Sequence, residues 1–402
     1  MSAPALPHPG CPTSAVDPFS RAFLLDPYPF HQELREAGPV VHIDAYGLWA
    51  MARHAEVAAS LNDWQTFCSS AGVGLSDFRK ETPWRPPSLV LEADPPLHTR
   101  TRTVLARVLS PNAIRELRAG FEREAECLVD RLVAAGQFDG IKDLAEVYPP
   151  KVFGDAVGLP AEGRENLLPY GGMAFNAFGP RNELFETAFA NAAPVIGWIT
   201  AMCRRDAVAA DGLGARIFQA ADSGELSEEE AGLLLRSFLT AGVDTTVNAL
   251  GNALFCFAEH PDQWALLQAN PALARNAFEE VLRFEAAVQT FFRTTTRQVE
   301  VSGTTIPEGA KVLLFLGAAN RDPRAWQRPD NFDINRRVVG QMGFGTGIHG
   351  CVGQMVARLE GEIILASLAR KVRRIERNGP LQRRLNNTLR GLDALPLRVT
   401  PV

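Results

Sequence analysis

The stretch Gly343-Phe344-Gly345-Thr346-Gly347-Ile348-His349-Gly350-Cys351-Val352-Gly353 decides how the rest of this chain is read. It reduces to Phe344-x-x-Gly347-x-x-x-Cys351-x-Gly353, and a helical pattern follows at once. A lone cysteine is ordinarily a small buried hydrophobe. This one is framed by an aromatic ring and by glycines, which let a backbone approach another body closely. Backbone N–H groups of the loop and of the helix start favour a thiolate. With 23 Phe, 33 Gly and 6 Cys in 402 residues, the four fixed positions recur by chance in on the order of one such chain in several hundred. The reading therefore needs support from elsewhere in the sequence.

The bulk numbers set bounds. A composition that is 46% hydrophobic and 22% charged is that of an ordinary soluble globular protein. The length suffices for one large core enclosing a cofactor. Residues 1–17, rich in Pro, Ala and Ser, read as a flexible N-terminal segment, and 18–402 as a single domain. A net charge of −5 speaks against nucleic acid as a partner. The basic residues Arg370, Lys371, Arg373, Arg374 and Arg377 read as a solvated helix end or as a docking patch for an acidic protein. Six scattered cysteines without a C-x-x-C pair exclude a zinc ribbon or a dithiol redox site and fit a reduced, cytoplasmic compartment. The N-terminus lacks a signal-peptide pattern, and no apolar run of 18 residues predicts a membrane span.

Along the chain, residues 40–43 and 48–52 read as a hairpin around Tyr46-Gly47. From about residue 97 the pattern is mostly helical. Residues 299–301 and 311–317 read as strands joined through Ser302-Gly303 and Pro307-Glu308-Gly309. The longest periodic segment starts at a capping box, Ser227 with Glu230, and meets no breaker until His260-Pro261. That predicts one helix of about 32 residues, roughly 48 Å long. At its middle lies Ala241-Gly242-Val243-Asp244-Thr245-Thr246, unfavourable at every position: Gly lowers helix propensity, Asp and Thr compete for backbone hydrogen bonds, and an Asp among apolar neighbours is costly unless paired. Such a cluster at the centre of a long helix points to a functional site. Glu280 and Arg283 sit at i and i+3 of a helix beginning near Pro271, either as a surface ion pair or as a structural one.

These motifs, in this order, resemble those of the cytochrome P450 family, and the resemblance covers nearly the whole chain after the first 15 residues. It implies a mainly α fold with one long central helix over a haem and small β-sheets. It implies haem b, with Cys351 as the axial ligand to iron and with Phe344, Gly347 and Gly353 shaping the loop. Asp244 and Thr245 correspond to the acid–alcohol pair that supports proton delivery to dioxygen in an otherwise dry pocket. Glu280 and Arg283 correspond to the pair that brances the haem loop. The chain departs from the family's pattern at Asn331, where an arginine is usual, so that either the brace is weaker or Arg336 substitutes. His98 and Arg102, at i and i+4 after Pro95-Pro96, together with Arg293 and His349, match positions that hold the haem propionates.

A closer resemblance concerns the substrate. Ser237, Ala241 and Thr245 recur at i+4 and share one helix face. Two prolines hold Arg85 and Ser88 in a rigid loop, a donor arrangement suited to a carboxylate. Arg236, next to Ser237, points elsewhere. The strings Trp84-Arg85-Pro86-Pro87-Ser88, Arg236-Ser237-Phe238-Leu239-Thr240 and Val288-Gln289-Thr290-Phe291-Phe292-Arg293 resemble a bacterial subgroup that oxidises para-substituted benzoic acids. There the equivalents of Arg85, Ser88 and Ser237 hold the carboxylate, and Leu91, Phe175, Phe178, Ala241, Val288 and Phe291 would wall the ring. The implied activity is dioxygen-dependent O-demethylation or alkyl hydroxylation, for example of 4-methoxybenzoate. The chain has neither a G-x-G-x-x-G fingerprint nor iron–sulfur spacing. Electrons are therefore expected from an iron–sulfur ferredoxin and a flavin reductase using NAD(P)H, acting on a monomer. The alternatives are the same chemistry on a terpene or fatty acid, or a non-catalytic haem-thiolate sensor.

Overall fold

The capping box forms as the sequence requires. The Ser227 hydroxyl accepts the Glu230 N–H at 3.1 Å, and the Glu230 carboxylate accepts the Ser227 N–H at 2.9 Å. In the computed structural model, which describes residues 11–402, the helix that starts there runs Glu228–Ala241, breaks over Gly242-Val243 and resumes as Asp244–Glu259. The expectation of one uninterrupted helix is thus corrected. A Cβ on Gly242 would lie 2.3 Å from the Phe153 ring, so the backbone is packed directly against an aromatic face at its weakest helical position. The far end falls where expected, at His260 before Pro261, which opens the helix Pro261–Ala269.

Pro111–Ala135 packs on Gln354–Lys371, and against the second half of this broken helix pack Ala274–Phe284 and Gln354–Lys371. Close contact of the last two needs Gly361, whose Cβ would sit 2.4 Å from the Phe278 ring. Helix dominates. A six-stranded sheet runs in the order Thr13–Ser14, Val41–Ile43, Leu48–Met51, Lys311–Phe315, Thr290–Thr295, Phe67–Cys68. Its central hairpin turns at Gly47, φ 61°. Smaller sheets join Val372–Arg377, Pro396–Pro401 and Gln137–Asp139, and pair Gln382–Arg384 with Gly391–Ala394.

Three further expectations change. Val299–Val301 does not join Lys311–Phe315. It pairs with Thr304–Ile306 in a hairpin turned at Ser302 and Gly303, both with positive φ, and Leu316 and Gly317 begin a short helix. Within residues 1–17, those from 11 onward are held: Thr13 and Ser14 pair in parallel with His42 and Ile43, and Val16 is buried; residues 1–10 lie outside the described residues. Of the C-terminal basic residues, only Arg370 and Lys371 end a helix, paired with Glu126 and Asp130. Residues 372–377 are a strand, and Arg377 pairs with Glu259.

Glu280 and Arg283 are both fully buried, which excludes a surface ion pair. Arg283 donates from Nε and Nη2 to the Glu280 carboxylate at 2.7 and 2.8 Å, and to the carbonyls of Asn320, Pro329 and Asn331. Arg336 Nε donates to Glu280 Oε1 at 3.1 Å, beside the Asp333 N–H at 3.0 Å. Asn331 contributes its carbonyl, and Arg336 supplies the second guanidinium. Removing it by Arg336→Ala should lower unfolding free energy by about 2 kcal/mol, read as a reduced denaturation midpoint, whereas the exposed Arg374→Ala should shift it by less than about 0.5 kcal/mol.

Candidate functional site

One cavity lies between the broken helix, the loop around Cys351 and the segment that carries Arg85 and Ser88. Cys351 N–H donates to the Phe344 carbonyl at 2.8 Å, closing the loop. Gly345 and Gly347 adopt φ 65° and 69°, and a Cβ on Gly347 would meet the Leu61 carbonyl at 2.5 Å, so glycine is required there twice over. Helix Gln354–Lys371 starts three residues after the cysteine. Burial pushes the Cys351 thiol up, while the N–H groups of Gly353 and Gln354 and the guanidinium groups of Arg102 and Arg358 pull it down. Arg358 stacks over the Phe344 ring at 4.6 Å.

The donors at one end of the cavity are only partly spent. Arg102, Arg293 and His349 line its wall. His98 packs behind His349, ring centroids 4.5 Å apart, and Nε2 of both imidazoles is buried without a partner. Arg293 is buried, and its one hydrogen bond goes from Nη1 to the Phe292 carbonyl. The nearest acid, Asp94, already accepts the N–H groups of Ser69 and Ser70 and lies 3.7 Å from His349 Nε2. Two guanidinium groups and two imidazoles whose remaining donors have no acceptor suit a group carrying two carboxylates. With a cysteine sulfur and a glycine-lined backbone on the same cavity, the residues fit haem b.

The helix break separates the other pair. Thr245 lines the cavity, and its hydroxyl donates to the Ala241 carbonyl at 2.9 Å, across the break. Asp244 turns away from the cavity into the core. It accepts from Asn248 Nδ2 at 3.0 Å and faces Arg384 Nη1 at 3.8 Å. Burial raises its carboxyl to about 6 against the opposing pull of Arg384. Arg384 in turn binds Glu146 and Asp393, the latter half-exposed, which links Asp244 to the surface. Asn248, at i+4, was legible as a partner for Asp244. Arg384, 140 positions along the chain, left no local signal.

Ser237, Ala241 and Thr245 form one wall, as their spacing predicts. The Ser88 and Ser237 hydroxyls are 2.8 Å apart. Edge-to-face contacts join Phe175 to Phe178 at 5.7 Å and Phe178 to Phe291 at 5.9 Å, and Leu91 and Val288 close the apolar wall. Arg236 lies outside this cavity and donates to the Pro86 carbonyl at 2.6 Å. Arg85 departs from expectation. It lines the cavity, yet it is not a free cation, because Glu92 pairs with it at 3.0 Å, with both side chains buried. A partner seven residues on, beyond Pro86-Pro87, has no helical or strand periodicity to reveal it.

The profile of the Cytochrome P450 family matches residues 202–375. The chain is 59% identical over 393 residues, 98% of this chain and 95% of the relative, to cytochrome P450 CYP199A2 of Rhodopseudomonas palustris. It is 32% identical to the vitamin D(3) 25-hydroxylase of Pseudonocardia autotrophica, over 89% of each chain. Among solved structures, cytochrome P450 CREJ in complex with (4-ethylphenyl) dihydrogen phosphate superposes with a TM-score of 0.87 at 26% identity, covering 96% of this chain and 99% of that one.

The raised carboxyl of Asp244 has a defined effect on stability. Its folded-state pKa of about 6 exceeds the unfolded value, so its contribution is fully present below the unfolded pKa and is lost as pH rises through about 6. The stability of the unsubstituted protein relative to Asp244→Asn should therefore fall by about 2 kcal/mol between pH 4 and pH 7, measured by denaturant unfolding at fixed pH steps.

Proposed function

Because this chain belongs to the cytochrome P450 family, whose members are haem-dependent monooxygenases, we propose that it oxidises the para substituent of a small benzoic acid, such as 4-methoxybenzoate. The observation that carries this reading is the polarity of the cavity. Ser88, Ser237 and Arg85 stand at one end, aromatic rings form the walls, and Thr245 stands past the helix break from Ser237. A flat ring with an anionic head and an apolar tail matches that distribution. The related structure that holds a 4-ethylphenyl phosphate carries a ligand of the same plan, an anionic head para to an alkyl group.

Bound haem supplies the oxidising chemistry, taking dioxygen, two electrons and two protons and placing one oxygen atom on the substrate while the other leaves as water. On a methoxy substrate the methyl C–H becomes C–OH, and the resulting hemiacetal falls apart to the phenol and formaldehyde. The chain's own residues do the rest. Ser88 and Ser237 turn their hydroxyls to the carboxylate and orient the para group toward Cys351. Phe175, Phe178 and Phe291 clamp the ring and exclude water. Asp244 takes protons from the surface through the neighbourhood of Arg384, with a carboxyl poised near operating pH. Thr245 Oγ1, anchored to Ala241, presents its oxygen to the cavity as the last stop for each proton.

Electrons come from separate redox partners. We assign these to an iron–sulfur ferredoxin and a flavin reductase using NAD(P)H, serving a cytoplasmic monomer. Among the described residues no helix is long and apolar enough to cross a membrane. Titrating the ferric protein with 4-methoxybenzoic acid should move the Soret band from its low-spin to its high-spin position, while neutral methoxybenzene leaves it in place. Equal shifts with both ligands, or none with the acid in a protein that retains the thiolate-type band of its reduced carbon monoxide complex, would remove the benzoate reading. Ser88→Ala with Ser237→Ala should weaken acid binding by about tenfold.

A further inference from the structure

We propose that Glu92 is a positioning residue that sets the charge with which the site meets its substrate, an inference that rests on the reading of that substrate as an aromatic acid. Arg85 Nη1 donates to Glu92 Oε2 at 3.0 Å, and Nη2 lies 3.5 Å from Oε1. The same Oε2 accepts the Ser88 N–H at 2.6 Å. The two side chains are 8% and 2% exposed. Arg85 and Ser88 line the cavity, and Glu92 does not, so the carboxylate stands behind the two residues it holds.

Three consequences follow from that placement. The formal charges of Arg85 and Glu92 cancel, so the pair meets the substrate as a dipole rather than as a cation. The guanidinium is tied through Nη1 to Glu92 and the Pro86 carbonyl and through one N–H of Nη2 to Glu92, which leaves the buried Nε and the second Nη2 N–H as its unspent donors. One carboxylate fixes both Arg85 and the backbone of Ser88, so the spacing between the arginine and serine donors depends on Glu92. Removing Arg85 alone would strand a buried anion behind the substrate carboxylate. The loss of acid binding that followed would measure repulsion by Glu92 as well as attraction by Arg85.

The test compares 4-methoxybenzoate with the neutral isostere 4-methoxybenzamide by Soret titration of the haem-loaded protein and its Arg85→Leu, Glu92→Gln and Arg85→Leu/Glu92→Gln variants. Arg85→Leu should weaken the acid by about 30-fold or more and the amide by less than about threefold. Glu92→Gln keeps the shape and the acceptor for Ser88 N–H but uncovers the Arg85 charge, and should tighten the acid by about tenfold without tightening the amide. The double variant should regain at least about tenfold for the acid over Arg85→Leu. If Glu92→Gln weakens acid and amide alike, or the double variant binds the acid no better than Arg85→Leu, Glu92 is merely structural and the inference is overturned. Should Arg85→Leu fail to fold, the acid–amide split in Glu92→Gln decides alone. If the unsubstituted protein ignores the acid altogether, the substrate reading fails first and takes this inference with it.

Discussion

Glu280 is a carboxylate without contact to water, and everything on the sulfur side of the cavity is arranged around it. Arg283 reaches it from one turn along the same helix, and Arg336 and the Asp333 N–H reach it from a segment more than 50 residues away. A buried carboxylate stripped of such partners costs several kcal/mol, so the two segments cannot drift apart. The constraint continues outward. Arg283 donates to the Asn320 carbonyl, and Asn320 Oδ1 accepts the Met342 N–H at 2.6 Å, one residue before the loop that carries Cys351. Two hydrogen bonds therefore connect a closed ion cluster to the start of the cysteine loop. The positive φ angles of Gly345 and Gly347 then determine how that loop turns.

On the opposite wall the decisive feature is a helix that fails locally. Gly242 sits against Phe153, and Gly171 sits against Asp244, where a Cβ would come within 2.7 Å of the aspartate's own Cβ. Both glycines allow close approach, and together they let the helix break while its side chains stay buried. The break turns Thr245 toward the cavity and Asp244 away from it. An acid facing the core is desolvated, which raises its pKa, and yet it stands beside an arginine that reaches the surface. The same local failure thus produces the exposed hydroxyl and the tuned carboxyl.

Much of this was legible in the sequence, for physical reasons that differ by region. The capping box at Ser227, the stop at His260-Pro261 and the turn at Gly47 are encoded within a few residues, and they form as read. The break at Gly242-Val243 was visible as a run of unfavourable helix residues, but its depth depends on Phe153, nearly 90 positions earlier, so length and periodicity alone predicted continuity. Thr304–Ile306 was missed because three residues between two turns carry too little pattern. Ser237, Ala241 and Thr245, spaced at i+4 in the sequence, line the same cavity although the helix breaks between the last two. The ion partners were not legible. Glu92 for Arg85 and Arg384 for Asp244 are tertiary choices, and a charged residue's sequence neighbours say little about which opposite charge it will meet.

Those unread pairings give the cavity two electrically different ends. Near Cys351, the side chains of Arg293, His98 and His349 are buried with part of their donors unspent and Arg102 stands half-buried beside them, an arrangement that suits a dianionic group. At the far end, the one arginine on the wall is already matched by a carboxylate behind it. A second small anion arriving in this cavity therefore meets a strong, unscreened attraction at the haem end and a balanced dipole at the other. Haem in the first site would offer its propionates to those donors, and the remaining polar contrast would lie between hydroxyls and N–H donors on one side and aromatic rings on the other. On the proposed reading of the substrate, orientation of a small acid would rest on placement of donors rather than on net charge, and the Pro86-Pro87 loop, gripped from outside by Arg236 and from behind by Glu92, would preserve that placement.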